Sequence, residues 1–547
     1  MIPLLLSVLL LALCASPLCC EAVNRRTRGR LSPLTPRAIA RLVAAISLLG
    51  LLLRAICAAA VPASLSPGEA ALLVQGRRFF QDGLPVVSED SGALPALLSA
   101  LFYALCTGSV RAVRLLPLLL SAATAPLAAR CVPQEEEGDP LPVCVATVFA
   151  LCPFLIQSGV TLSPLPFALF FLTAGACAGV RQRLPLSAAL LGLACWTLPG
   201  AVVCALPLFA VLLSGRRAPA GRGAPAGRGT PAGRGASAGR GTPAGRAASA
   251  RRAASAGLFA LIALPPALCF LGAALYLPGG RLLCLTLPEL SFARVEAAWL
   301  GGVAALRDTL IARVDALLSF EIFRYFSDTP AEGALLPGMG RALIAFVPVT
   351  LAGCFACLRR PGAGRALSLW AALTAAGICL LGAPDEAHLL LLSLALLFVC
   401  AVGIRRLAGR MPAAGAALLA LGLAVLGSFL GGWLGAENAA LLQRTHLPGM
   451  TEALRAAART DAERLVVTDC FDLWDSSEDA ANRLAEAALG RPEERLSVEY
   501  LDADSLRPEA LEPRAAYVLT AEQADALGLG EAAHYGGFAV VLPGEAP

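Results

Sequence analysis

The chain has 547 residues, of which 15% are charged and 57% belong to the set AVILMFWYC, and its mean hydropathy is +0.70. Soluble domains average about 25% charged residues, so this composition excludes a soluble protein and points to a polytopic membrane protein. The 44 basic residues are all arginine, set against 39 acidic ones, and they cluster between apolar runs, which excludes a nucleic-acid surface.

Residues 1–24 open with an apolar run, followed by Arg25, Arg26, Arg28 and Arg30. A secretory signal carries its positive charge ahead of the apolar stretch. This segment therefore reads as a membrane span or as an atypical signal. The main transmembrane domain is expected over 25–434. Within it, apolar runs fall at about 42–61, 113–129, 141–158, 165–180, 185–197, 200–214, 256–277, 340–358, 366–383, 387–404 and 412–434. A hydrocarbon core about 30 Å thick takes roughly 20 residues of helix. With the N-terminal run, the count is about twelve spans. Arg130, Arg181–Arg183, Arg216–Arg217, Arg359–Arg360 and Arg405–Arg406 then all fall on one side, as the positive-inside rule requires.

A six-residue repeat (APAGRG, TPAGRG, ASAGRG) fills the cytoplasmic loop at 215–254. Gly and Pro at this density cannot bury a core, so the loop is expected to be disordered. Its arginines suit anionic lipid, or are simply tolerated. The loop at 278–338 is expected outside, with an amphipathic helix marked by Trp299, Val303, Leu306, Leu310, Val314 and Leu317. From 447 to 547 the composition becomes that of a soluble domain. Strands are expected at 464–468, 515–519 and 538–542, and a helix at 476–489. The fold class is thus mainly α and polytopic, with a small C-terminal α/β domain outside the cytoplasm.

Most of the 18 cysteines, such as Cys144, Cys152, Cys177, Cys195 and Cys204, sit inside apolar runs. They read as small apolar side chains, without the spacing of a zinc site. No resident cofactor is indicated, and a divalent metal is left open. His388, His446 and His534 are far apart in sequence.

Residues 61–130 combine an acidic loop, an amphipathic helix and an Arg-x-x-Arg-Leu-x-Pro step at Arg111–Pro117. Gly68-Glu69-Ala70, Gly76–Gly83, Leu94-Pro95 and Gly108–Leu115 resemble the first extracytoplasmic loop of GT-C glycosyltransferases. The similarity is to the branch of protein O-mannosyltransferases and lipid A aminoarabinose transferases. Ser158–Pro166, Leu190–Pro199 and Asp385–Ala395 extend the resemblance over about 400 residues. Departures accompany it. The loop aspartate that serves as base in that family aligns with Gly68. Its second-loop acid aligns with Ser163 or Pro164, its Thr-Lys step with Thr197-Leu198, and its Arg-Tyr step with Ala387-His388.

The resemblance implies a GT-C-like domain that transfers a sugar from a polyprenyl-phosphate donor to an acceptor outside the cytoplasm, in the plasma membrane of a bacterium. Such a site needs a carboxylate to deprotonate the acceptor and cations to hold the lipid phosphate. The carboxylates that remain are Glu69, Glu89 and Asp90, the catalytic candidates. Ser66-Pro67-Gly68-Glu69 is equally a helix capping box, and Glu89 and Asp90 are equally solvated turn residues. Arg77, Arg78 and His388 are the donor-phosphate candidates, although the arginines also suit snorkelling to headgroups. The rival readings are a non-catalytic scaffold or binder of lipid-linked sugar, and a transporter. The transporter ranks last because the spans show no internal duplication.

Overall fold

A computed structural model describes residues 35–82, 92–106, 108–132, 139–214, 243–275, 281–282, 285–286, 311–312, 346–359, 363–381, 386–410, 412–460, 462–468, 477–489, 497–501, 506–507, 511–512, 514–529 and 532–542. The N-terminal apolar run, the arginine repeat up to 242, nearly all of the 278–338 loop, and Glu89 and Asp90 lie outside the described residues.

The bundle begins with α1 (Pro36–Ala60), capped by the Thr35 side chain. Two shorter helices follow, α2 (Pro67–Asp82) and α3 (Ala93–Leu105). Then come α4 (Val110–Cys131), α5 (Leu141–Leu151), α6 (Pro153–Ser158), α7 (Leu165–Val180), α8 (Leu184–Thr197) and α9 (Val202–Ser214). The helices α10 (Pro243–Leu275), α11 (Val347–Arg359), α12 (Ala363–Leu381), α13 (Glu386–Arg410) and α14 (Pro412–Trp433) complete the apolar part. Among the described residues, four segments are long and apolar enough to cross a membrane: α1, α4, 391–409 of α13 and 413–433 of α14. Leu48 and Leu52 of α1 are more than half exposed, as suits a helix that turns its apolar side chains toward lipid.

Two expectations change. The run at 141–158 is not one helix, because Cys152 leaves helical geometry ahead of Pro153, a residue with no N–H to continue the ladder. The repeat loop ends earlier than 254, since α10 starts at Pro243. After that proline the sequence becomes Ala- and Arg-rich, and both are strong helix formers.

In lipid every backbone polar group must find a partner. The break after α5 frees the carbonyls of its last turn, and Arg54 of α1 takes them. Its Nη1 donates to Ala150 O at 3.0 Å and its Nη2 to Phe149 O at 3.3 Å. Its Nε donates to Ser121 Oγ of α4 at 2.9 Å, and Ser121 Oγ donates to Leu155 O at 2.6 Å. Arg54 is fully buried. It ties three helices together and lays its charge at the negative end of α5. Indole N–H groups do similar work. Trp433 donates to Cys57 O, Trp196 to Ile262 O and Trp370 to Cys204 O.

The C-terminal unit follows α15 (Ala436–His446) and α16 (Met450–Ala457). Its strands are β1 (Arg464–Thr468), β2 (Ser497–Leu501), β3 (Ala515–Thr520), β4 (Ala533–Tyr535) and β5 (Phe538–Val541). Helix α17 (Ser477–Leu489) connects β1 to β2. The sheet order is β2-β1-β3-β5-β4, with the first three strands parallel and the last two antiparallel. The strands and the helix read from the sequence fall where they were expected. We call the end of the bundle that carries this unit the outer end.

Helices α11 and α13 cross at two glycines. A Cβ on Gly403 would stand 2.1 Å from Val349 O, and one on Gly353 2.0 Å from Val399 O. Contacts that close leave no room for a methyl group. Gly403→Ala is therefore expected to destabilise the bundle by about 1–3 kcal/mol, read as a lower unfolding temperature of the detergent-solubilised protein.

Candidate functional site

The site is built from the first loop upward. Ser66 and Pro67 start α2 with a capping box: Glu69 N donates to Ser66 Oγ at 3.3 Å, and Ser66 N to Glu69 Oε2 at 3.0 Å. The carboxylate then reaches further. Arg114, one turn into α4, donates from Nε to Glu69 Oε1 at 2.8 Å and from Nη2 to Oε2 at 2.6 Å. Leu162 N donates to Oε1 at 2.8 Å. Each carboxylate oxygen thus accepts two hydrogen bonds. Arg114 also donates to Pro62 O and, at 2.6 Å, to Ser64 O. Glu69 is 2% exposed and Arg114 4%.

Burial alone would push the Glu69 carboxyl up. The charge and hydrogen bonds of Arg114, with the Leu162 amide, outweigh it and bring it down to about 2. His446, at the end of α15, is buried beside this pair, and burial lowers its imidazole to about 4. Its Nδ1 lies 3.2 Å from Leu442 O. An Nδ1–H donating there leaves Nε2 an acceptor, buried and without a hydrogen-bond partner among the described residues.

A carboxylate held at about 2, with every acceptor position occupied, is a poor general base. The geometry makes Glu69 a clamp joining α2, α4 and the loop before α7. Arg77 and Arg78 are also engaged elsewhere than with a lipid phosphate. Arg77 Nη1 donates to Glu486 O at 3.1 Å, while Arg78 Nε and Nη2 donate to Glu486 Oε1 and Oε2 at 2.8 and 2.6 Å. Glu486 is on α17, so both arginines hold the C-terminal unit onto α2. Arg77 also lies over the ring of Tyr103, whose hydroxyl accepts from Arg455 Nη2 at 2.8 Å. Leu72, Leu73, Ala96 and Val113 share one core with Met450, Leu454, Val467 and Leu484.

Glu89 and Asp90 lie outside the described residues, but their neighbour Gly92 is described. Gly92 N donates to Thr197 O at 3.0 Å. A Cβ on Gly92 would stand 2.0 Å from Trp196 O. Gly92, which follows the acidic residues in sequence, is therefore anchored at the outer end of α8, where Pro199–Ala201 forms a 3₁₀ turn. His388 falls in the first turn of α13. One turn further along, Leu391 O approaches Cys204 Sγ of α9. The backbone thus brings the start of α13 and the anchor of the acidic loop to the same end of the bundle. At Gly68 a Cβ would meet nothing within 4 Å. No group of His, Cys, Asp and Glu suited to a metal occurs among the described residues.

Sequence reasoning passed over Arg54, Arg114 and His446. Arg54 carried a signal, being a lone charge inside an apolar span. Arg114 stands in the Arg-x-x-Arg-Leu-x-Pro step, which gives no sign of its acidic partner. His446 carried no signal, because its neighbours come from distant segments.

No protein-family model and no curated protein matches the chain. Among solved structures it is similar to ArnT from Cupriavidus metallidurans in the apo state, at 14% identity and a TM-score of 0.46 over 93% of this chain and 99% of that one. The same protein bound to undecaprenyl phosphate gives a TM-score of 0.47, also at 14% identity, over 92% and 99%. The Archaeoglobus fulgidus oligosaccharyltransferase complexed with zinc and sulfate is similar at 12% identity and a TM-score of 0.46, over 83% of this chain and 62% of that one.

Removing one partner of a buried pair leaves the other charge stranded. Glu69→Gln and Arg114→Leu are each expected to destabilise the fold by about 3–5 kcal/mol, measured by thermal unfolding in detergent. A second expectation concerns pH. The carboxyl of Glu69 is lowered on folding, so its stabilisation is present above about pH 4.5 and lost as pH falls toward 2. The imidazole of His446 is also lowered, so the unfolded chain takes up its proton first and stability declines as pH falls from 6.5 toward 4. The unfolding temperature should decline through both windows, and His446→Asn should flatten the upper one.

Proposed function

We propose that the chain is a membrane glycosyltransferase of the GT-C type, moving a sugar from a polyprenyl-phosphate carrier to an acceptor outside the cytoplasm. The observation that carries this reading is the fixed layer formed by α2 and α3. It is pinned to the bundle at two breaks, through Glu69 to Leu162 and through Gly92 to Thr197. A donor whose lipid tail lies in the membrane must present its phosphate at such a boundary, beneath a rigid first loop. Fixed placement of the reacting groups is a large part of what such a site supplies.

In this reading the base comes from Glu89 or Asp90, the first-loop carboxylates not committed to the clamp. His388, in the first turn of α13, is the candidate for the donor phosphate. The C-terminal unit is extracytoplasmic and the arginine repeat cytoplasmic. Protease added to sealed right-side-out vesicles should cut within 447–547 and spare 215–242. Cleavage of both on one side would overturn that topology.

A second reading is supported by one specific fact. Glu69, Arg77 and Arg78 are all committed to holding the structure together, which suits a binder of lipid-linked sugar that no longer catalyses transfer. The two readings separate in a transfer assay with polyprenyl-phosphate sugars. Under the enzyme reading, Glu89→Gln/Asp90→Asn lowers the rate by roughly 10²-fold or more at unchanged folding. Under the binder reading the native chain is inactive. Gly68→Asp, which places a carboxylate where the family carries its base and where space is open, should then restore measurable transfer.

A further inference from the structure

In a parallel sheet with connections on both faces, ligands settle at the carboxyl ends of adjacent strands whose connections leave in opposite directions. The C-terminal unit has such a point between β1 and β3. On one face, Leu465, Val467 and Val518 share a core with Leu484 of α17, the helix that follows β1. On the other, Val466 and Leu519 share a core with Ala524 of α18 (Ala521–Ala526), the short helix that follows β3.

The strand pairing shows where the two chains part. Strands β1 and β3 are paired from Arg464 with Ala515 to Val467 with Val518. Beyond that, Thr468 pairs with Leu501 of β2, while Leu519 and Thr520 pair with Ala539 and Phe538 of β5. A split thus opens between β1 and β3, and Gln523 of α18 spans it. Thr468 Oγ1 donates to Gln523 Oε1 at 2.7 Å from one side, and Thr520 N at 2.9 Å from the other. Thr520 Oγ1 accepts from Gln523 N at 3.2 Å. Thr468 is buried, whereas Thr520 and Gln523 are half-buried, so these two are the polar lining that a ligand can reach.

This end of the sheet is tied to the bundle. Ala521 N donates to Gly537 O at 2.9 Å, and Gly537 N to Pro448 O at 3.3 Å. Pro448 lies between α15 and α16. A Cβ on Gly449 would stand 1.9 Å from Tyr535 O, so the turn between β4 and β5 is pressed against that joint. The split therefore lies at the end of the sheet nearest the point where the chain leaves the bundle.

The chemistry of the lining selects the ligand. Hydroxyl and carboxamide groups carry no charge, and Arg464 stands at the opposite end of β1. The eight residues after Thr468 (DCFDLWDS) lie outside the described residues and are no part of the site. Their sequence still bears on the ligand, since it holds three aspartates and neither glycine nor a basic residue. Such a run repels phosphate and lacks the glycines of a phosphate-binding loop. Hydroxyl and amide groups held on a fixed frame match the hydroxyls of an uncharged sugar, which donate and accept alike.

We propose that the split between β1 and β3 binds a neutral saccharide. Thr520 and Gln523 are its contacts, and Thr468 is the positioning residue that holds the Gln523 carboxamide. The role of this site rests on the glycosyltransferase reading: it holds the glycan part of the acceptor beside the outer end of the bundle.

The test uses the full-length protein in a detergent without a sugar headgroup. The probes are diazirine-tagged maltotriose, mannotriose, galactotriose and chitotriose, with labelled peptides mapped by mass spectrometry. The expected result is saturable labelling of a peptide that spans Thr520–Gln523, displaced by the untagged sugar and not by inorganic phosphate or magnesium. Gln523→Glu keeps an acceptor for the capping box and removes the amide N–H groups. It should weaken labelling about tenfold at an unchanged unfolding temperature. Thr468→Val should weaken it as well, by releasing the carboxamide. Absence of saturable labelling with all four probes, labelling confined to other segments, equal labelling of native and Gln523→Glu protein, or displacement by phosphate or magnesium would overturn the proposal. Binding is read without transfer. A chain labelled here that transfers no sugar therefore upholds this site and counts against the enzyme reading, and an active chain not labelled here does the reverse.

Discussion

The outer half of this protein depends on one buried ion pair, Glu69 with Arg114. The pair is almost dry, and dry charges cost several kcal/mol each unless their geometry is met on every side. Here it is met. The carboxylate takes two guanidinium hydrogen bonds and two amides, and the guanidinium gives two further N–H groups to the Pro62 and Ser64 carbonyls. Such a pair adds little net stability over a well-packed apolar substitute. It does specify one arrangement, because any shift of α2, of α4 or of the Leu162 loop strands a charge.

With α2 fixed, a layered arrangement follows. Helices α2 and α3 lie between the bundle and the C-terminal unit and share apolar core with both. Arg77 and Arg78 extend from α2 to Glu486, and Arg455 extends from α16 to Tyr103. Residue 447 marks a change in composition, yet the hydrophobic core runs across it. The C-terminal unit is thus packed on the first loop as a lid is on its rim. Arg54 performs a matching task deeper in the bundle. It supplies the donors that the broken end of α5 lacks, in a region where water cannot.

For function, the consequence is a narrowing. The acidic residue that stands nearest the family's base in sequence is occupied in structure. A helix cap, a salt bridge and a backbone acceptor are three structural duties, and a carboxyl held near 2 by them takes a proton only with difficulty. Arg77 and Arg78, further along the same helix, are likewise turned to the C-terminal unit. Of the first-loop candidates, those not committed to such contacts precede Gly92, whose amide is held by Thr197 at the end of α8.

Much was readable from the residues alone. Apolar run length located most of the helices, because a helix that crosses lipid must be apolar over its whole length. Local spacing showed the capping box at Ser66–Glu69, and short apolar runs marked β1, β3 and β5. These are short-range properties, set within one turn or one strand. What local sequence leaves undetermined is the partner. Glu69 and Arg114 are 45 residues apart, and Arg78 and Glu486 more than 400. A carboxylate that caps a helix and one that abstracts a proton have the same local sequence. Only the packing of α4 and the Leu162 loop around Glu69, which removes water and fills its lone pairs, decided between those roles.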